Sequence, residues 1–392
     1  MGAVMSEDLL SVAAALWPGA ETVDAGAPAD GRPVRARFAV VHRGPTPTVL
    51  VPVEPPSAAA ASLRRVSAGS SWWDSTSRVA AGAAVRAVPA LLRHRVEVRG
   101  GEEGLADHLS AVLGTPVTFS LSIGTARVNR KPVLQVFDAT GTCRAFAKVG
   151  WTENTCADVA AEGRALAAVT AHQYRHIIPP ELVARTSWEG RPVLLTGPLA
   201  PSPWARHRRS WTPPDDAMAE LASRFGLTDG ELATSDWWRR QWQVAGELAD
   251  PVMRGRLGRA MEKVATVTGR RLIAFGAWHG DWTPWNMAVT GSQVLLWDWE
   301  RFETGVPTGL DALHYMVSAL NLGTPSSPDA VVRALALAAY RDRSLGGEPH
   351  VHSLLYLVAI LTRYLRLLDA PGGEHLAPRA LQTLIALERL CG

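Results

Sequence analysis

Lysine and cysteine are both scarce in this sequence. Of its 40 basic residues, only Lys131, Lys148 and Lys263 are lysines. Each of them is informative, because arginine cannot supply the same compact point charge. The 3 cysteines are scattered along the chain, which excludes a disulfide framework and the spacing of metal ligands. A reducing compartment, most simply the cytoplasm, is the expectation that follows.

A strong charge of one sign and a long hydrophobic run are also absent. The net charge is only +3, so nothing predicts a nucleic acid or a membrane surface as a partner. The N-terminus carries acidic residues and no apolar segment, unlike a signal peptide. The longest apolar stretch, residues 354–368, contains Arg363 and is too short to span a membrane. It is typical of a helix buried in a globular domain.

The 392 residues, 47% of them hydrophobic, are enough for two or three cores. Residues 1–98 are predicted to form an α/β appendage, to which we assign no role. A hairpin is expected there at residues 35–41 and 48–53, followed by two helical stretches at residues 57–66 and 76–92.

The remaining chain divides into a sheet-forming and a helical region. In residues 99–199 the pattern predicts strands at 117–123, 132–137 and 145–149, a helix at 155–171, and strands at 182–186 and 192–196. Residues 200–392 are predicted to be mostly helical. The exception is a short strand at residues 294–297 that leads into Asp298.

The first group of candidate catalytic residues is His279-Gly280-Asp281, with Asn286 five positions after Asp281 and Asp298 twelve positions after Asn286. Phosphoryl transfer needs a carboxylate at the acceptor hydroxyl and oxygen ligands for Mg²⁺. Asp281 and Asn286 can supply the base and one metal ligand from the same loop. A carboxylate at the end of the following strand, Asp298, can complete the metal site.

A second group lies upstream and points to the same chemistry. Lys148 ends the third predicted strand of its region, and Glu162 lies fourteen positions later in the predicted helix. A lysine that binds the α- and β-phosphates, oriented by a helix glutamate, is what a kinase-type site requires. The scarcity of lysine favours this interpretation over a surface lysine and a surface glutamate.

With these motifs, residues 115–320 resemble the aminoglycoside phosphotransferase-like family of kinase-like enzymes. The resemblance implies an α+β, protein-kinase-like two-lobed fold, with a small sheet lobe and a large helical lobe. It also implies that the enzyme uses ATP, or alternatively GTP, together with Mg²⁺. By that likeness Asp281 is the catalytic base, and Asn286 and Asp298 are metal ligands. Lys148 is the phosphate clamp with Glu162 beside it, His279 and Asp311 support the loop, and the segment from Thr196 to Leu199 meets the adenine. Apart from the likeness, backbone amides around Gly124 are expected to cap a phosphate.

The motifs depart from those of protein kinases. Gly280 stands where those enzymes carry an arginine, and Asp298 is followed by Trp-Glu instead of Phe-Gly. We therefore expect no regulation by a phosphorylated activation loop. The loop around Gly124 also has one glycine in place of a Gly-x-Gly-x-x-Gly run. Residues 1–98 are expected to be dispensable for nucleotide binding.

The sequence says least about the molecule that accepts the phosphoryl group. Roughly eighty residues separate the predicted adenine-binding segment from residues 279–286, which we call the catalytic loop after its predicted role. That is far more than a connection needs. We expect Asp236, Trp237, Glu300 and Glu303 to contact the acceptor, although Trp237 also fits a core position. A small hydroxylated metabolite or natural product is favoured. Alternatives are a Ser/Thr of a peptide in natural-product tailoring and a non-catalytic nucleotide-binding protein. The sequence gives no prediction of the oligomeric state.

Overall fold

The computed structural model describes residues 3–43, 46–64, 72–123, 131–199, 213–320, 327–341, 348–370 and 373–392. The strands are β1 (Ala20–Asp24), β2 (Val34–Arg43), β3 (Thr46–Pro52), β4 (Arg95–Gly100), β5 (Val117–Ile123), β6 (Pro132–Asp138), β7 (Cys143–Val149), β8 (Ile177–Ile178), β9 (Leu182–Trp188), β10 (Arg191–Thr196), β11 (Thr228–Glu231), β12 (Leu272–Trp278), β13 (Met287–Thr290), β14 (Gln293–Leu296) and β15 (Glu303–Pro307). The helices are α1 (Ala3–Ala15), α2 (Pro56–Arg64), α3 (Trp72–Ala87), α4 (Leu105–Leu113), α5 (Glu153–Val169), α6 (Asp215–Arg224), α7 (Asp236–Glu247), α8 (Pro251–Thr268), α9 (Leu310–Leu320), α10 (Pro328–Arg341), α11 (Pro349–Leu368) and α12 (Ala377–Leu390).

The chain forms two compact units. The first comprises Met1–Gly163 and Pro180–Pro203, and the second comprises Arg164–Pro179 and Trp204–Gly392. Within its described residues, the first unit contains a nine-stranded antiparallel sheet in the order β1-β4-β2-β3-β5-β6-β7-β10-β9. The order predicted for residues 115–199, three strands, a helix and two strands, is confirmed, with element ends within about two residues of those expected. The two-residue β8, which the sequence does not predict, belongs to the second unit and pairs there in parallel with β14.

Residues on both sides of position 98 build one sheet and one core. Strand β3 pairs with β5 through Leu50 and Leu121. The rings of Trp17 and Phe119 stack with centroids 5.6 Å apart, and Phe38 lies 5.9 Å from Phe119. All five of these residues belong to one buried cluster. The predicted domain boundary at residue 98 remains a prediction, but the apolar core of the sheet runs continuously across it.

The second unit is largely helical, but the expectation of a single strand there is wrong. Its described residues form two three-stranded sheets, β11-β12-β15 and β13-β14-β8. The longest strand that the sequence pattern does not predict there is β12, because periodicity cannot distinguish its continuous apolar run from a buried helix segment. Helix α11 is long and apolar enough to cross a membrane by length and composition, but 72% of its apolar window is buried inside the protein. It therefore has the burial of a core helix, as its sequence predicted.

Candidate active site

The β13–β14 hairpin brings the two predicted metal ligands to the same end. Antiparallel pairing places Met287 opposite Leu296, and the Trp297 N–H donates to the Asn286 carbonyl at 3.1 Å. Asp298 follows directly, with a φ of +66°. Left-handed backbone is uncommon for a residue with a side chain, and aspartate tolerates it better than most. The register of a short hairpin thus brings together two residues twelve positions apart.

A buried carboxylate supports the start of the catalytic loop. Asp311, in the first turn of α9, accepts hydrogen bonds from the backbone N–H groups of His279 at 2.7 Å and Gly280 at 3.0 Å. Burial raises the pKa of Asp311 to about 6, although both hydrogen bonds favour its charged form. The contacts place Asp311 where the resemblance expected a supporting residue.

His279 connects the catalytic loop to the strand that carries Asp298. Its Nδ1 accepts from the Asp281 backbone N–H at 3.2 Å, so Nε2 carries the hydrogen and donates to the Trp297 carbonyl at 3.0 Å. Burial lowers the pKa of His279 to about 4. The ring also packs edge-on against Trp299, with centroids 4.8 Å apart. A neutral, fully buried imidazole therefore links the two segments.

Asp281 and Asn286 are in direct contact. The Asn286 Nδ2 donates to the Asp281 Oδ2 at 2.8 Å and to the Asp281 backbone carbonyl at 3.0 Å. The Asp281 side chain is 37% exposed, so a ligand can reach it. Burial opposes its ionisation, but the hydrogen bond to His314 and the charge of Arg363 outweigh burial and lower the pKa of Asp281. The loop therefore holds an ionised, accessible carboxylate.

The donor atoms at the hairpin end fit a hard cation such as Mg²⁺. Asn286 uses its amide nitrogen on Asp281, which leaves the amide oxygen as the atom it can offer to a metal. The carboxylate of Asp298, the second predicted metal ligand, also offers oxygen atoms. Mg²⁺ commonly takes one or two protein oxygens and completes its shell with water and substrate phosphates. No cluster of three His, Cys, Asp or Glu side chains suited to a metal occurs among the described residues.

Two residues of this site were not predicted from the sequence. His314 Nε2 lies 3.1 Å from Asp281 Oδ1. Arg363 Nη1 donates to the Gly280 carbonyl at 2.6 Å, and the Arg363 guanidinium lies 5.1 Å from the centre of the Trp278 ring. A signal existed for each. His314 lies three positions after Asp311 on one helix face, and Arg363 interrupts an otherwise apolar helix.

Gly280 cannot carry a side chain in this loop. Its φ is +79°, and a Cβ atom there would lie 2.3 Å from the Arg301 carbonyl oxygen. Both the backbone conformation and the close approach require glycine. The absence of an arginine at this position thus has a local structural reason.

In the first unit, the predicted lysine and glutamate form an ion pair. Lys148 Nζ, on β7, lies 2.6 Å and 2.8 Å from the two carboxylate oxygens of Glu162, on α5. Their side chains are 13% and 2% exposed. Strand β10 lies next to β7, with Leu194 opposite Lys148, so its end at Thr196 is two residues along from the lysine. Leu199 is half-buried just beyond this strand.

The predicted acceptor residues divide into exposed and buried ones. Glu303 lies opposite Trp278, the residue before the catalytic loop, and binds Arg240 at 2.7 Å. Asp236 is exposed at the start of α7 and pairs with Arg239 at 2.8 Å.

Glu300 lies in the short turn after Asp298, with one carboxylate oxygen 3.6 Å from Arg301 Nη2. Trp237 is 1% exposed and stacks on Trp238. Its burial favours the core interpretation, and a role in acceptor binding stays a prediction. Gly124, the loop at 124–130 and residues 200–212 of the predicted acceptor region lie outside the described residues.

Comparison with known proteins gives a fold but no sequence relative. No family model matches the chain, and no curated protein matches it. Among solved structures, a thermostable mutant of the aminoglycoside phosphotransferase APH(4)-Ia, in complex with AMP-PNP and hygromycin B, has a TM-score of 0.50 and 15% identity, covering 73% of this chain and 98% of that chain.

Two further structures are similar at lower scores. The microcompartment-associated aminopropanol kinase has a TM-score of 0.42 and 14% identity, with 72% of this chain and 96% of that chain covered. Amicoumacin kinase in complex with AMP-PNP and Ca²⁺ has a TM-score of 0.41 and 11% identity, with coverages of 69% and 88%. The APH(4)-Ia match, together with the sheet unit and the largely helical unit, confirms the predicted kinase-like α+β fold.

Proposed function

We propose that this chain is an ATP-dependent phosphotransferase that moves the γ-phosphoryl group to a hydroxyl of a small molecule. The observation that carries the proposal is the Asp281–Asn286 contact on a loop supported by Asp311. It combines an accessible, ionised carboxylate with an amide whose oxygen is available to a cation. Asp298, at the same hairpin end, supplies the second oxygen ligand.

Asp281 acts on the acceptor. Its carboxylate accepts the proton of the acceptor hydroxyl while the hydroxyl oxygen forms a bond to the γ-phosphorus. The bond from that phosphorus to the bridging oxygen of ADP breaks in the same step. A base of low pKa suits this reaction, because the loose transition state needs orientation of the hydroxyl more than early removal of its proton.

Each part of Mg·ATP would be bound by its own group of residues. Lys148, fixed by Glu162 at 2.6 Å, provides a positive charge for the α- and β-phosphates. Asn286 and Asp298 would bind Mg²⁺, which when present neutralises phosphate charge. The backbone from Thr196 to Leu199 would meet the adenine, since it continues the strand next to the one that carries Lys148.

A small hydroxylated acceptor is the class that we favour. The exposed pairs Asp236–Arg239 and Arg240–Glu303 lie on α7 and at the strand position opposite Trp278. They offer charges of both signs instead of the mainly acidic surface that a polycationic aminoglycoside requires. APH(4)-Ia, amicoumacin kinase and aminopropanol kinase have small molecules in their names or complexes, which agrees with this class.

Calorimetry with Mg·ATP tests the nucleotide site. The intact chain should bind Mg·ATP, and both Lys148→Ala and Asp298→Asn should weaken binding by about tenfold or more. Lys148→Ala removes the positive charge offered to the phosphates, and Asp298→Asn removes the charged ligand offered to Mg²⁺. Lys263→Ala is the matched control. Lys263 is exposed, with its Nζ 3.3 Å from the carbonyl oxygen of the C-terminal residue. Failure of the wild-type chain to bind Mg·ATP would refute the proposal.

Asp281→Asn separates catalysis from mere nucleotide binding. The variant should keep Mg·ATP affinity and lose turnover by about 10²-fold or more, because the amide cannot accept the acceptor proton. Turnover is measured as ADP release with a panel of hydroxylated small molecules and a panel of Ser/Thr peptides. Stimulation by peptides alone would assign the acceptor to the peptide class. Binding without any turnover in the wild-type chain would identify a non-catalytic protein.

A further inference from the structure

Both carboxylate oxygens of Asp281 have hydrogen-bond partners, one inside the catalytic loop and one on a helix outside it. Oδ2 accepts from Asn286, which belongs to the catalytic loop itself. Oδ1 is 3.1 Å from His314 Nε2, on α9. His314 therefore orients the base from outside the loop.

The hydrogen-bond directions around His314 follow from its two partners. An ionised carboxylate can only accept, so Nε2 carries a hydrogen and donates to Asp281. On a neutral ring Nδ1 is then the acceptor, and the Tyr356 hydroxyl, 3.2 Å away, can donate a hydrogen bond to it. Burial raises the pKa of Tyr356 well above its ordinary value, so the phenol retains the hydrogen that this bond needs. Tyr356, on α11, thereby selects the tautomer of His314 that serves Asp281.

The hydrogen-bonded series from Asp281 through His314 to Tyr356 does not carry protons to solvent. His314 is 8% exposed and Tyr356 is 2% exposed, so a proton passed inward from Asp281 would reach a buried phenol. The arrangement can hold a carboxylate plane in place, and it leaves the exposed 37% of Asp281 free to face a ligand. Its function is orientation.

We propose that His314, held by Tyr356, is a positioning residue that orients the Asp281 carboxylate toward the acceptor oxygen. The inference rests on the proposed function, because it assigns Asp281 as the base. Positioning contributes strongly to phosphoryl transfer, since a displacement of about 1 Å in the reacting groups can cost about 10²-fold in rate. Loss of one of two orienting hydrogen bonds should therefore appear in kcat, with nucleotide affinity unchanged.

The test uses Mg·ATP hydrolysis, with water as the acceptor, so that no other substrate needs to be known. His314→Phe removes both ring nitrogens at similar size, and we expect kcat to fall about 10- to 100-fold. His314→Gln places an amide N–H near the position of Nε2 and should restore most of the rate. Mg·ATP affinity, measured by calorimetry, should stay within about twofold in both variants. His352→Phe is the control, because the Nδ1 of this buried histidine bonds to the Glu348 carbonyl at the start of its own helix, and no bond from it to Asp281 occurs among the described residues.

A double-mutant cycle distinguishes positioning from a general effect on stability. In an Asp281→Asn background, His314→Phe should cause no further loss of kcat, because the group that His314 orients is no longer a base. An equal loss in both backgrounds, or a wild-type kcat in His314→Phe, would overturn the inference. If His314→Phe does not fold, Tyr356→Phe takes its place in the same cycle, with a smaller expected loss of a few-fold. A wild-type chain that neither binds nor hydrolyses Mg·ATP would instead refute the proposed function.

Discussion

Replacing Gly280 by alanine tests the geometry of the catalytic loop most directly. The added Cβ would lie 2.3 Å from the Arg301 carbonyl oxygen and 3.0 Å from the Arg301 carbonyl carbon, at a φ of +79°. The new methyl group meets backbone atoms, so no side-chain rotation relieves the overlap. Either the Arg301 segment or the loop that carries Asp281 has to move.

The expected magnitude has two parts. The positive φ costs alanine about 1–2 kcal/mol, and the steric overlap adds about 1–3 kcal/mol, as overpacking typically does. Gly291→Ala is the matched control for the first part. Its φ is +59°, and a Cβ there meets nothing within 4 Å. We therefore expect Gly280→Ala to lose about 2–5 kcal/mol of unfolding free energy and Gly291→Ala only about 1–2 kcal/mol.

Turnover should respond more strongly than stability. Restoring an ordinary contact displaces the loop by about 1 Å, enough to lower turnover by about 10²-fold. We expect Mg·ATP affinity to persist, because the proposed phosphate-binding residue Lys148 does not lie in this loop. Urea unfolding gives the stability difference, and ADP release with calorimetry gives turnover and affinity. If Gly280→Ala matched Gly291→Ala in both stability and turnover, the close approach to Arg301 would have no energetic consequence and our account of the loop would be wrong.

Three further predictions concern the appendage, the buried histidine and regulation. A chain that starts at Gly100 should be insoluble or markedly destabilised, because it loses residues that pack against or pair with Leu121, including Leu50. This prediction replaces the sequence-based expectation that residues 1–98 are dispensable. A stable truncated chain with wild-type Mg·ATP affinity would contradict the new prediction. Stability should fall as the pH drops from 6.5 toward 4, because the pKa of His279 is about 4 when folded and about 6.5 when unfolded. By pH 5 the loss should reach about 2 kcal/mol relative to His279→Gln in urea unfolding, and parallel pH curves for the two chains would exclude it. Phosphatase treatment should leave turnover unchanged, because Gly280 removes the arginine that reads a phosphorylated loop; a loss restored by preincubation with ATP would show the opposite.

Much of the site was predictable because its residues lie close together in sequence or follow a pattern of spacing. Asp281 and Asn286 share one loop, and their contact at 2.8 Å follows from that proximity. Lys148 and Glu162 were predictable because a strand followed by a helix in this order brings a strand-end lysine to the helix. In both cases the chemistry required particular residue types at particular separations.

Other features could not be predicted because periodicity carries too little information about them. Strand β12 was missed because a short apolar run suits a buried helix as well as a strand. The core shared by Trp17 and Phe119 joins segments about a hundred positions apart, so the region before residue 98 had the appearance of a separate appendage.

The sequence by itself determined the kinase-like fold class, the order of the elements in residues 115–199, and the residue types available for phosphoryl transfer. Only the tertiary structure decided which distant groups support them. The resemblance already implied a supporting role for Asp311, but His314 and Arg363 reach the same loop only through the packing of α9 and α11. The reason is physical: local propensity and spacing act within a few turns of chain, whereas buried hydrogen bonds depend on how helices pack after the chain has folded.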